Sequence, residues 1–211
     1  MDINNYFNTT FWSEQKLDFI KSLTKASDKY IKAARNVPES KAYIKKFGDF
    51  GRSYHSTPLT NDNDFLDFRN YIGQKSWEFL DHQGFDMTQY TAVLSEMWVQ
   101  EFAKKGGGHH TLHTHWNGHM SGFYFLKASE KTSMPMFEDP RPGNIMNLLP
   151  EKDKSKVTYA SSQIHYQVKP GRMIFFPSYM PHQYIVDMGY EPFRFIHWNC
   201  QAIPKGVLNV S

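Results

Sequence analysis

Five of the ten histidines in this 211-residue chain fall within eleven residues, His109-His110-Thr111-Leu112-His113-Thr114-His115-Trp116-Asn117-Gly118-His119. Imidazole nitrogens suit Fe, Zn, Cu or Ni, whereas Mg or Ca sites are built from oxygens. The next stretch, Met120 to Leu126, is largely apolar or aromatic, lacks proline and meets its first charge at Lys127, which predicts a buried strand. Alternate strand residues share a face, so His113 and His115 can aim at one ion. A competing register pairs His115 with Asn117 or His119 instead. Either needs a further ligand, and His182 is the candidate. Pro170-Gly171 reads as a turn, Met173 to Phe176 as a short buried strand, and Pro177 to Pro181 as a rigid link that delivers His182 at the start of the following strand. His109, His110 and His119 are expected outside the ligand set, as outer hydrogen-bonding or solvated groups.

Twelve residues after His182 stands Arg194, the one charged residue in the aromatic run Phe193-Arg194-Phe195-Ile196-His197-Trp198-Asn199. Arginine rarely enters a core unpaired, and its planar fork takes a carboxylate through two hydrogen bonds. A structural Asp or Glu would satisfy it as well. By alternation Ile196 and Trp198 share the face of Arg194, expected to point into a pocket. Asn199 and Gln100 are candidate polar contacts there.

The ordered set of H-x-H, Ser-Gly-aromatic-Tyr (Ser121 to Tyr124), Phe137-Glu138-Asp139-Pro140-Arg141, Phe176-Pro177-Ser178, His182 and Arg194 resembles the 2-oxoglutarate-dependent Fe(II) oxygenase superfamily. Within it, the pattern is similar to a mostly uncharacterised group of bacterial and phage oxygenases, over roughly Val93 to Ala202. One place departs: where the superfamily usually has Asp or Glu two residues after the first His, this chain has His115. The resemblance implies a double-stranded β-helix (jelly roll, cupin-like) core. It implies Fe(II) held by His113, His115 and His182, with 2-oxoglutarate and O2 as cosubstrates. Arg194 would grip the distal carboxylate of 2-oxoglutarate, Tyr124 would place its hydroxyl against a cosubstrate carboxylate, and Trp198 and Asn199 would line that site. The implied reaction is hydroxylation of an unidentified substrate with release of succinate and CO2. A neutral His115 leaves the centre one positive charge higher than a carboxylate would. Three-histidine dioxygenases that use no 2-oxo acid, and a non-catalytic jelly-roll binding module, are the alternatives; neither needs a cation where Arg194 stands.

The supporting elements follow from periodicity. Apolar residues at near-helical spacing predict a helix over residues 13–35, stopped before Pro38, with a short helical piece from Lys41 to Phe47. Residues 51–63 read as a polar connection, and Asn61 or Asn63 is placed to cap a second long helix running to Gly84. From Thr88 the period becomes strand-like, with Trp98 and Gln100 on one face of a strand and Val99 and Glu101 on the other. Strands are expected again at Met134 to Phe137 and His165 to Val168, and residues 138–163 as a long polar loop of the kind that serves as lid or binding loop. The expected class is therefore mainly β with N-terminal helices (α+β), with a helical support region over 1–87 and the β-helix core over 88–211, together one domain.

An apolar content of 40% with 16% aromatic residues is enough for a packed core and argues against disorder. A net charge of +3 without a basic block gives no nucleic-acid footprint. No apolar run is long enough to cross a bilayer, and the first residues lack a signal-peptide pattern. The single cysteine, Cys200, fits a reducing compartment. The expectation is a cytoplasmic enzyme, in a host cytoplasm if phage-encoded, acting on small molecules, with a homodimer compatible.

Overall fold

The computed structural model describes residue 2 and residues 7–141 and 149–209. Its two longest strands are Tyr90–Phe102 (β3) and Phe193–Pro204 (β10). They pair antiparallel from Phe193 opposite Phe102 to Pro204 opposite Tyr90, with one register shift at Asn199/Cys200. Four more strands extend this pair: Trp12–Gln15 (β1), Ser53–His55 (β2), Met120–Lys127 (β5) and Arg172–Pro177 (β8). The six-stranded sheet has the order β1-β8-β5-β10-β3-β2. Facing it is a four-stranded sheet, β4-β9-β6-β7, made of His110–His113 (β4), Pro135–Glu138 (β6), Gln163–His165 (β7) and His182–Tyr184 (β9). Helices Ile20–Asn36 (α1), Pro38–Phe47 (α2) and Leu66–His82 (α3) form the helical part. The fold is a double-stranded β-helix, mainly β with N-terminal helices, as expected.

Both faces of the large sheet are covered, so its strands read as nearly continuous apolar runs. One face meets the helices: Met97, Val99, Tyr124, Ile196 and Trp198 pack with Leu23, Phe68 and Ile72. The other face meets the small sheet through a second core of aromatic side chains, among them Phe102, Phe123, Phe137, Phe176 and Phe195. Gly122 shows how close the first packing is. A Cβ there would lie 2.1 Å from Cζ2 of Trp198 and 2.6 Å from the Ile174 carbonyl oxygen, so the indole rests on a residue that has no side chain.

The N-terminal third is not a helical layer alone. Residues 13–15, expected to open the first helix, instead pair with β8 together with Trp12, which stacks on Phe79 at 4.4 Å between ring centres. Residues 53–55, in the expected polar connection, pair with β3. Short strands with one buried face are poor signals beside a strong helical stripe. The region 1–87 thus supplies both edge strands of the sheet that 90–204 builds. Pro38 opens α2 at a position where its missing N–H is not needed. Asp62, rather than Asn61 or Asn63, caps the turn before α3 by accepting from the Asp64 amide at 2.8 Å.

Arg194 lies on the helix-facing side of β10, which corrects the expected pocket placement. Its Nε donates to Glu101 Oε2 at 2.6 Å, and its Nη1 donates to Asp28 Oδ1 at 2.6 Å, Ser27 Oγ at 2.9 Å and the Thr24 carbonyl at 3.3 Å. Arg35 Nη2 takes the other oxygen of Glu101 at 3.0 Å. Arg194 and Glu101 are nearly fully buried, so helix α1 is tied to β3 and β10 through a desolvated ion network. Arg194→Met leaves a buried carboxylate with one partner fewer, and should lower unfolding stability in urea by about 3–5 kcal/mol. An unchanged midpoint would contradict this account.

Candidate functional site

Strand β4 ends at His113 and β9 begins at His182, and the two are antiparallel partners in the small sheet. Their rings lie 4.3 Å apart between centres. His115 does not continue the strand. It stands two residues further on in a turn, where its backbone N–H donates to the Ser178 carbonyl at 3.0 Å. That bond joins the turn to the Pro177–Pro181 link and brings the His115 ring to 4.9 Å from His113 and 5.1 Å from His182. Ligand nitrogens of His113, His115 and His182 all lie within 4.8 Å of one another. His113 and His115 therefore meet, although through a turn and not by sharing a face of one strand.

The donor set fits a transition-metal ion. His113 Nδ1 donates to the Thr111 carbonyl at 2.8 Å and His182 Nδ1 to the Met180 carbonyl at 2.9 Å. Each ring therefore keeps a lone pair on Nε2, the arrangement in which metal-binding imidazoles are commonly held. His182 Nε2 is buried and has no hydrogen-bond partner, as a nitrogen reserved for a ligand would be. Phe176, Phe123 and Phe137 surround the His182 ring at 5.0, 5.7 and 5.8 Å and shut water out on that side. Phe175, next to Phe176 in the same strand, faces the helices instead, against Phe79 and Trp198.

The remaining expected site residues divide by strand face. Tyr124 and Trp198 sit with Arg194 on the helix side: the Tyr124 hydroxyl donates to the Lys16 carbonyl at 2.6 Å, and Trp198 packs against Phe68 and Phe175. None of the three points toward the histidines. Asn199 does, with Nδ2 3.1 Å from His115 Nδ1. His119 is used elsewhere, its Nδ1 accepting from the Ala202 amide at 3.1 Å. Gln100 bonds Ser53 at 2.7 Å. The His110 ring lies 4.4 Å from that of His113, tilted against it.

Two residues were not anticipated. His197, fully buried, has its Nε2 3.0 Å from His115 Nε2. Glu96 reaches Asn199 Nδ2 at 2.7 Å. The clue for His197 was present: it shares the strand parity of Asn199, opposite to that of Arg194. With Ser95, Thr114, Trp116, Asn117 and Gly118, the residues Glu96, His115 and Asn199 line a small cavity of about 120 Å³ at the surface beside the cluster. The segment expected as a long loop is described only outside residues 142–148; within it Arg141 pairs with Asp139 and lies over the Tyr159 ring.

Burial is the main cause that holds His115, His182 and His197 neutral. It pushes His115 down to about 4, with His113 and His110 adding repulsion. It pushes His182 down to about 3, against the opposing Met180 carbonyl. His197 is also held well below the ordinary histidine range by burial. In the unfolded chain the same rings titrate near about 6.5. As pH falls, the unfolded state takes up protons first, so stability is fully present above pH about 6.5 and is lost toward pH about 4. The urea midpoint of metal-free protein should fall steadily between pH about 7 and about 4.5, and a level profile there would contradict the neutral cluster.

The fold is shared with several solved structures at low identity. AviO1 from Streptomyces viridochromogenes Tue57 aligns with a TM-score of 0.57 and 14% identity over 93% of this chain and 91% of that one. A prolyl-4-hydroxylase from Pseudomonas putida aligns with a TM-score of 0.56 and 11% identity over 90% and 92%. SnoN, described as a non-heme alpha ketoglutarate dependent epimerase from nogalamycin biosynthesis, aligns with a TM-score of 0.55 and 10% identity over 94% and 82%. No curated protein sequence matches the chain. Residues 96–192 match the model of the family described as "Putative 2OG-Fe(II) oxygenase", and the three-histidine cluster is drawn from within that matched stretch.

Proposed function

We propose that the protein is an Fe(II)- and 2-oxoglutarate-dependent oxygenase that hydroxylates a small-molecule substrate, with His113, His115 and His182 as the iron ligands. The observation that carries this reading is the convergence of those three rings, with one reserved nitrogen on His182, inside the matched region. Iron with its 2-oxo acid supplies oxidation by O2 coupled to decarboxylation, leaving succinate and CO2. The chain's own contribution is orientation and dryness. Backbone carbonyls of Thr111 and Met180 fix two rings, and Phe123, Phe137 and Phe176 exclude water behind them. The cavity beside His115 leaves one side of the cluster open, where a substrate can approach.

A second reading is favoured by one observation. The site-facing residues of β10 are Phe193, Phe195, His197 and Asn199, with no cation among them, and Arg194 is committed to Glu101 and Asp28. A three-histidine dioxygenase that uses no 2-oxo acid needs no such cation. Anaerobic titration with Fe(II) should show stoichiometric iron in the wild type and its loss in His182→Ala; full occupancy in that variant would sink the ligand assignment. Adding 2-oxoglutarate should then produce a visible charge-transfer band, and O2 should yield succinate. Bound iron without band or succinate would replace the first reading by the second.

A further inference from the structure

The cavity of about 120 Å³ beside His115 has one acidic side chain in its lining, Glu96, and no lysine or arginine. Asn199 holds that carboxylate in place, its Nδ2 donating to Glu96 Oε2 at 2.7 Å. The amide is itself fixed: Asn199 is 2% exposed, and its Oδ1 accepts from Ser121 Oγ at 2.6 Å. A buried group thus orients the carboxylate of an exposed side chain. Two carboxylate oxygens offer about four lone-pair sites, and Asn199 takes one. Among the described residues, Glu96 Oε1 accepts no hydrogen bond, and no lysine or arginine pairs with either oxygen.

The rest of the lining suits the same kind of ligand. Thr114 and Asn117 bring further side-chain oxygens, and neither side chain makes a hydrogen bond among the described residues. Trp116 also lines the cavity, yet it is 86% exposed. Of the aromatic rings, an indole attracts a cation most strongly over its face. An ammonium group brings a positive charge and three N–H donors, which matches a carboxylate oxygen and neutral oxygens beside it. An anion would meet the Glu96 charge with no cation to offset it. One water takes up about 30 Å³ of liquid, so the space admits a head group and not a whole substrate.

Resting on the reading of the histidine cluster as an oxygenase centre, we propose that this cavity is a substrate subsite for a primary ammonium group. Glu96 is its ion-pair partner, Thr114 and Asn117 are further acceptors, and Trp116 is a cation–π wall. His115 belongs to both the cavity and the cluster, so a ligand anchored by this head lies against the centre. The primary substrate is then an amine.

The test uses the full chain without metal, at neutral pH, by ligand-observed saturation-transfer NMR. The probe is n-propylammonium, compared with n-propanol, propionate and tetramethylammonium. Saturable binding of propylammonium is expected, with all three controls weaker. Glu96→Gln keeps the side-chain shape, removes the charge and should weaken the amine at least about tenfold. Trp116→Ala leaves the ion pair and should weaken it about two- to fivefold. Nα-acetyl-lysine amide separates two sources of such a head. Tighter binding than propylammonium points to a lysine of a peptide, weaker or equal binding to a free amine, and both support the subsite. No amine binding, a control that binds as tightly, or an unchanged affinity in either variant would overturn it. These outcomes involve no metal, so they leave the iron assignment untouched. Failure of the Fe(II) titration with the amine still bound would remove the oxygenase reading alone.

Discussion

Everything at the site depends on the two-residue period of β10 where it pairs with β3. Successive side chains leave a strand on opposite faces, so Phe193, Phe195, His197 and Asn199 go one way and Arg194, Ile196, Trp198 and Cys200 the other. The first set makes the aromatic interior and reaches His115. The second set binds the helices to the sheet. A slip of one residue would exchange the two, placing a buried arginine against the histidines and the histidine against Phe68. The ion network of Arg194, Glu101, Asp28 and Arg35 opposes that slip, because only one register gives each buried charge its partner.

Around the histidines the structure combines a dry wall with a chain of polar side chains. Aromatic rings crowd His182 on one side, while Ser121, Asn199, Glu96 and His197 hold His115 on the other. Removal from water makes each hydrogen bond there stronger and each missing one more costly. Glu96 reaches His115 at one remove, through the Asn199 amide, and its carboxylate stays at the rim in reach of solvent.

The helices serve the site by fixing the sheet from behind. Trp198 lies on Gly122 with almost no clearance, and Phe68 closes over both Tyr124 and Trp198. Interiors packed this tightly transmit small displacements. The strands β1 and β2, drawn from before and between the helices, complete the two edges of the sheet, so the N-terminal region and the barrel share that sheet.

The histidine cluster, the buried strands, the distal His182 after its proline link and the mixed helix-then-strand order were all legible in the sequence, because each is a local pattern of residue types. The pairing of Arg194 with a structural acid was legible only as one option. What the sequence could not decide was which face of β10 looks inward. Alternation sorts residues into two sets, but both faces of this strand are buried and both sets carry apolar and polar members, so hydrophobicity does not tell helix side from barrel side. Arg194, Tyr124 and Trp198 were therefore assigned to the site and Asn199 was placed with them, although Asn199 alone points there. His197 and Glu96 were missed for a related reason: their roles arise from neighbours dozens of residues away, which only the closing of one strand upon another brings within a hydrogen bond's length.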